Sequence, residues 1–583
     1  MHKREGYAAA GRAEMAGVGG LAGLAIWALI EKAHEIVSHP LAYLTLTGFV
    51  SGFFAVLMGL SGPHRIARAA LPALGLSALA AALLTWSGLR FDTLDAFGAA
   101  QHPIIAWALF LLIGTPFAAA TLRDRHSLRD YGHLFDVSWG ILVRYSAAWL
   151  FVALIWAVIF LSNALLEIVG LTIIEDLLDI EGAAFVISGA ALGVGLSVVH
   201  ELRDFISPFL VMRLLRLLVP VVLVVVLVFV GAALMQAPGA LFGNLSRATT
   251  LLAVALAMIT LISVALDRSD VDAVQTPLMR AATSALALLL PVLTGLAGYA
   301  LWLRVAQYGW TPARLVAACT VLVVGLHAVS YAVAVVLRGA WMARIRQANI
   351  TIAVGMLLLL ALWQTPVLNV ERISTQSQVA RIVAEKVTPQ DAALWEMQAE
   401  WGHAGQAGLA ALSADFAAGK PEWQAAVEAA QSAESPWEYA QGFHGNARVA
   451  PAERFAANLT VLPPEAVVDA RDMSDIALYR LEDWADICES APDPGCVLLF
   501  GDFHPTRAGR VGILFLPVAA RKVDVFSVYE VGRSLAVGEK IARSEGDRVT
   551  LRQLRDILDG KFEVAPSSRQ SLWIGDMELT PEF

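Results

Sequence analysis

Apolar residues come in long, unbroken blocks through the first two thirds of the chain, and in short alternating runs after that. Blocks lie near 15–30, 41–60, 71–89, 103–121, 141–162, 184–201, 210–232, 248–266, 281–302, 315–337 and 350–366. A bilayer's hydrocarbon core is about 30 Å thick and takes about 20 helical residues, so each block predicts a membrane-spanning helix. The last one sits in QANITIAVGMLLLLALWQTPVLNV, residues 347–370, which carries no charge, between Arg346 and Glu371. Beyond it the texture changes. Residues 371–441 place Leu394, Trp395, Trp401, Leu409, Leu412 and Trp423 at helical spacing and predict two to four helices. From Leu459, the runs LTVL, CVLLFGDF, RVGILFLPV, KVDVFSVYEV and SLWIGDMEL predict strands, interrupted by one helix, TLRQLRDILDG, with Gly560 as its stop. The expected fold is an all-α polytopic membrane bundle of about eleven helices followed by an α+β extracytoplasmic domain with a mainly antiparallel sheet. Its parts are an N-terminus at 1–14, the membrane domain at 15–369, a helical connector at 370–441 and the α+β domain at 442–583.

Composition agrees with that division. The chain of 583 residues is 57% hydrophobic and only 16% charged, against about 25% charged in a soluble globular protein. Residues 1–370 carry a net +3 and residues 371–583 a net −12. So acidic a domain repels phosphate, which argues against nucleic acid as a partner. With the N-terminus inside, seventeen Lys/Arg fall in cytoplasmic segments. Only Lys32, Arg90, Arg247, Arg304 and Arg314 fall outside. That bias, with an odd number of spans, predicts a cytoplasmic N-terminus and a periplasmic C-terminal domain. Cys488 and Cys496 in CESAPDPGC form a candidate disulfide if their loop faces an oxidising compartment, and are unrelated thiols if it does not. Cys319 reads as a small packing residue.

Several polar groups are candidates for chemistry. His327 lies thirteen residues beyond Arg314, roughly 20 Å along the helix axis and near mid-membrane, with Ser330 and Tyr331 on the same face. A titratable group at that depth suggests a proton relay or a polar path, and alternatively an interhelical hydrogen bond. With no acid to partner it, the packing reading is favoured. Arg304, Tyr308, Thr311 and Arg314 surround the YGWTP turn and form a candidate anion clamp or docking point. The acids Glu167, Glu175, Asp176, Asp179 and Glu181 suggest an interfacial helix, with a cation vestibule as the rival reading. His126, Asp130 and His133 would share a face of a continuous helix, as metal ligands or as a solvated lead-in. HEIVSH at 34–39 spaces its histidines at i and i+5, which excludes the helical zinc-protease arrangement.

Two stretches together resemble a known family. They are YGHLFDVSWGILVRYSAAWLFVALIWAVIFLSNALLEIVGL (131–171) and the block AQYGWTPARL (306–315) with TPVLNVERISTQSQVARI (365–382). The pattern is similar to that of the bacterial membrane family termed domain of unknown function 4153, carried here by Tyr308, Gly309, Thr311, Arg314, Pro366, Asn369, Ser374 and Gln378. Trp310 departs from it, standing where a leucine-like residue is expected. The resemblance covers most of residues 15–385 and implies a bacterial inner-membrane protein. It brings no activity, cofactor or catalytic residue. GDFHPTRAGRVGILFL (501–516) lacks the second acid of a calcium-type turn and implies no metal.

Three functions compete. A non-enzymatic envelope component, whose periplasmic domain binds a protein partner or ligand, is favoured by the large outer domain. A transporter or channel would use a polar path near His327. A membrane glycosyltransferase would use Glu31 and Glu35, in a first outer loop of only about ten residues. No metal or cofactor is expected; the lipid bilayer is a partner in every reading.

Overall fold

The computed structural model describes residues 2–33, 37–61, 66–123, 125–201, 208–234, 245–389, 391–433, 435, 438–439, 449–473, 476–491, 493–503, 510–519, 522–531, 534–540, 549–564, 572–574 and 577–579. The chain divides into two compact units, Met1–Val427 and Glu428–Phe583.

The first unit is helical. In order its helices are α1 His2–Glu31, α2 Pro40–Ser61, α3 Ile66–Gly88, α4 Leu94–Ala100, α5 His102–Thr121, α6 Tyr131–Ile168, α7 Ile173–Leu178, α8 Ala183–Glu201 and α9 Pro208–Leu234. They are followed by α10 Leu245–Leu266, α11 Pro277–Tyr308, α12 Pro312–Val336, α13 Trp341–Gln364, α14 Val370–Val383, α15 Leu394–Ala399 and α16 Gly402–Ala411. α17, Pro421–Ser432, runs across the boundary between the units. Among the described residues ten helices are long and apolar enough to cross a membrane. They coincide with ten of the eleven expected blocks.

The eleventh, α8, is shorter in its apolar part, Ala183–Val199. Its packing makes up for its length. α8 lies antiparallel against α1 along its whole course: Gly193 against Met15, Gly189 against Gly19, Phe185 against Gly23, and Gly182 against Trp27. Gly19 and Gly23 on one helix, and Gly189 and Gly193 on the other, are each four residues apart and so share a face. There the two backbones touch, because a Cβ on any of the four would overlap a carbonyl of the opposite helix. In a bilayer, close backbone approach is a main source of helix attraction. Ion pairs finish both ends, Arg12 with Glu201 and Lys32 with Glu181. α8 thus covers the same depth as α1.

A second layer of packing joins α10, α11 and α12 around Met258, Ile262, Leu286, Leu290, Leu293 and Tyr331, all fully buried. α13 closes the bundle. For orientation, the near end is where α13 begins and the far end where it finishes.

The second unit is built on a five-stranded sheet in the order β1 Leu459–Leu462, β2 Cys496–Gly501, β3 Val511–Ala519, β4 Lys522–Val531, β5 Ser534–Lys540. β1 and β2 pair in parallel and the remaining neighbours antiparallel. A parallel pair needs a crossover, supplied here by a helix the strand pattern did not predict, α19 Leu478–Ser490, which follows α18 Val449–Ala457. The alternation of β2 separates two cores. Leu498 and Phe500 pack with Phe455, Leu481 and Trp484. Val497 and Leu499 pack with Leu554 of α20, Leu551–Leu558. α20 starts on a capping box of Thr550 and Gln553. SLWIGDMEL makes not one strand of this sheet but a separate pair, β6 Leu572–Ile574 and β7 Met577–Leu579. β5 was not expected. Cys488 of α19 and Cys496 of β2 are joined by a disulfide.

Candidate functional site

Among the described residues of the first unit, polar side chains gather in three main places. At the far end, Asn369 caps α14, accepting from the Arg372 amide at 2.8 Å, and so turns Glu371 inward. The Glu371 side chain is 1% exposed and meets the Arg90 guanidinium at 3.1 Å. The other Arg90 nitrogen donates to the carbonyls of Trp363 and Thr365 at 2.7 and 2.6 Å, at the end of α13. His102, first residue of α5, completes the centre. The Trp363 indole N–H, a donor only, reaches His102 Nδ1 at 3.0 Å, so Nδ1 accepts and Nε2 carries the proton. Nε2 lies 3.3 Å from Glu371 Oε1. The result is a neutral imidazole beside one cation and one anion. Burial pushes the Glu371 carboxyl up, but the hydrogen bond from His102 and the Arg90 charge outweigh it and hold it below the usual glutamate value. Burial lowers the Arg90 pKa, opposed by Glu371. Arg90 also receives the His403 amide on its backbone carbonyl at 2.9 Å, which brings in α16. The centre ties α3, α5, α13, α14 and α16 together. Three polar side chains at 9% exposure or less offer a substrate no access.

The YGWTP turn lies at the same end. Gly309 stops α11 at φ +73°, a conformation glycine adopts without strain, and the Thr311 hydroxyl caps α12. The Arg304 and Arg314 guanidinium groups lie over the Tyr308 ring, at 5.4 and 5.5 Å from its centre. Arg314 donates to the carbonyls of Tyr308 and Gly309. Gln378 of α14 donates to those of Tyr308 and Trp310, both at 2.9 Å. Arg314 therefore closes the turn on itself, and Gln378 docks it to α14.

The third place is within the bundle. Tyr331 donates to Asn349 Oδ1 at 2.6 Å, and its oxygen lies 3.3 Å from Ser263 Oγ. The Asn349 amide nitrogen donates to Ser263 Oγ and to the Tyr131 hydroxyl, each at 3.4 Å. With Tyr331's own proton committed, Ser263 supplies the donor between them, and the ring Ser263, Tyr331, Asn349 closes. His327 stands at its edge, its ring T-shaped against Tyr331 and its Nδ1 2.9 Å from the Val323 carbonyl of its own helix. Ser330 takes part in none of these bonds. Within the triplet His327, Ser330, Tyr331 the histidine and tyrosine rings meet, while the Tyr331 hydroxyl bonds to residues on α10 and α13 and reaches α6 only through Asn349.

Beneath the ring, Arg346 donates to the Leu266 and Asp267 carbonyls and to the Asp270 carboxylate, capping α10. Arg216 pairs with Asp267. Arg144, along α6, donates to the carbonyls of Gly140 and Gly59 at 3.0 and 2.8 Å.

Other expected sites find different places. Asp130 is the cap of α6, which begins only at Tyr131, so Asp130 and His133 do not lie on one continuous helix with residue 126. Among the described residues no group of three His, Cys, Asp or Glu is placed to hold a metal. Glu31 ends α1, exposed; Glu35, with His34, lies outside the described residues. In GDFHPTRAGR, residues 504–509 also lie outside them. The Arg90–Glu371–His102 centre was not predicted as a unit. Its one sequence signal was that Arg90 and Glu371 are isolated charges at the rims of apolar blocks.

These features define a class: a polytopic membrane protein whose helical bundle is cross-tied at one end by a buried ion pair, followed by a small α+β unit. The chain belongs to the family described as Domain of unknown function (DUF4153), whose model matches residues 39–396. That stretch holds all three polar centres. No curated protein and no solved structure matches the chain.

Proposed function

We propose that this protein is a non-enzymatic component of a bacterial envelope, anchored in the cytoplasmic membrane, whose second unit faces the periplasm and binds a segment of another envelope protein. The observation that carries this reading is an open groove of about 840 Å³ in the second unit, between α18 and the residues ahead of α19. Its floor is apolar, with Ala452, Met473, Ile476 and Leu481, and its rim carries Glu453, Asp469 and Arg471. An apolar floor with a charged rim suits an amphipathic peptide segment. The charges traced in the membrane unit, by contrast, are engaged by one another or by backbone carbonyls. That supports an anchoring role over a solute path, and over a glycosyltransferase. Sidedness is supported by the arginine distribution, by the pairing of α8 with α1, if α8 is counted as a crossing beside the ten longer helices among the described residues, and by the disulfide.

A photoreactive residue at Ala456 in intact cells tests the reading. It should give one discrete protein adduct, lost when Ile476→Lys alters the groove. Diffuse or absent labelling overturns it. Sidedness has its own test. After mild reduction, a thiol reagent that cannot cross the membrane should label Cys488 and Cys496 in cells whose inner membrane is whole; labelling only after lysis inverts the topology.

A further inference from the structure

The ring beside Tyr331 borders a cavity of about 390 Å³, within the roughly 300–1,000 Å³ range of small-molecule pockets. Its walls come from α5 and α6, with Phe117, Phe135 and Trp139, and its floor from Tyr131, Ser263 and Asn349. Leu112 and Leu142 also line it, and both are more than half exposed on the outer surface of the bundle. In a membrane that surface meets acyl chains, so the cavity opens sideways into the bilayer.

The hydrogen-bond directions say what the floor offers. Ser263 donates to Tyr331, Tyr331 to Asn349, and Asn349 divides its two amide protons between Ser263 and Tyr131. Ser138, also in the lining, gives its proton to the Leu134 carbonyl. In this network Tyr131 is an acceptor only, which leaves its phenolic proton as the donor for the cavity. A largely buried hydroxyl donor with no protein acceptor among the described residues favours an occupant that brings an acceptor oxygen.

We propose that the cavity is a lateral binding site for a membrane glycerophospholipid, which accepts a hydrogen bond from Tyr131 on an ester carbonyl and lays its acyl chain along Leu112 and Leu142. The chemistry fits. An ester oxygen is an uncharged acceptor, and the floor's ring is itself neutral. The lipid chain matches walls that are aliphatic and aromatic. Tyr131 is the first residue of α6, near one membrane surface, where phospholipid ester groups lie. The site needs no assumption about which side of the membrane the second unit occupies.

The test uses the full chain, extracted in mild detergent from native membranes and washed of loosely held lipid, with retained phospholipid counted by mass spectrometry. The expected result is about one phospholipid per chain. Ser138→Trp, which fills the cavity, should lower retention at least fivefold; Tyr131→Phe should lower it several-fold, in line with one lost hydrogen bond of about 1 kcal/mol. Leu288→Trp, on another exposed face, should retain lipid as the wild type does. A photoreactive residue at Leu142 should give a phospholipid adduct, and one at Leu288 should give none above background. This second measurement decides the matter if Ser138→Trp fails to fold. Equal retention in wild type and Tyr131→Phe, or equal adducts at Leu142 and Leu288, means ordinary boundary lipid only and overturns the proposal.

Discussion

Glu371 and Arg90 are 281 residues apart in sequence and form a 3.1 Å ion pair that is almost wholly out of solvent. A buried pair is costly to break because the surviving charge has nowhere to go. Glu371→Gln should therefore lower stability by about 3–5 kcal/mol, read as a fall in the thermal midpoint in detergent. Arg90→Met combined with Glu371→Leu should recover a large part of that loss, because neither charge is then stranded. A double variant as unstable as the sum of the singles would refute the account of the pair.

The same carboxylate sets a pH dependence. Its folded pKa lies below the ordinary value, so its stabilising contribution is complete above the unfolded pKa of about 4.3. That contribution is lost as pH falls through the folded value. The difference in thermal midpoint between wild type and Glu371→Gln should be constant from pH 7 to about pH 5 and shrink at more acid pH. A gap that widens on acidification would contradict the sign.

Gly19→Val should be among the most damaging single changes in the membrane unit, because the new side chain meets the Gly189 carbonyl. Flexible side chains can move aside; a helix backbone cannot. Gly17→Ala is the matched control. No heavy atom outside its own helix lies within 4 Å of a Cβ there, and alanine's better helix propensity predicts a neutral or slightly stabilising effect of up to about 1 kcal/mol. The fraction that elutes as folded monomer in detergent separates the two.

Asn349→Leu removes the three bonds that Asn349 makes to Tyr331, Ser263 and Tyr131 and should cost about 1–2 kcal/mol. His327→Leu should cost less, since the one hydrogen bond described for the imidazole goes to its own helix. Thermal midpoints of the two variants compare them directly. If His327→Leu proves the worse, the histidine has a role beyond packing, and a solute-flux assay with that variant becomes the next measurement.

Hydropathy exposes the spans because a bilayer demands some twenty apolar residues in a row, a signal each helix carries alone. Pairing between distant helices leaves no such trace. Nothing near Arg90 announces Glu371, and nothing near Tyr331 announces Asn349. The depth of His327 in its apolar block says where the residue is but not what it touches. In the second unit the strands of LTVL and CVLLFG were visible by composition. The crossover α19 was not, because LYRLEDWADICES scatters its acids between Leu481, Trp484 and Cys488. SLAVGEK, the edge strand β5, mixes Gly, Glu and Lys with its apolar residues and hides for the same reason.

The seam between α1 and α8 also bears on assembly. α1 presents a glycine face whose mate is synthesised later, Gly189 following Gly19 by 170 residues. Until then that face has only lipid against it, and the four spans made in between must leave a slot for the late arrival. Nascent chains cut short before Ala183 should accordingly be held by insertion chaperones or degraded, while chains that extend beyond Glu201 escape.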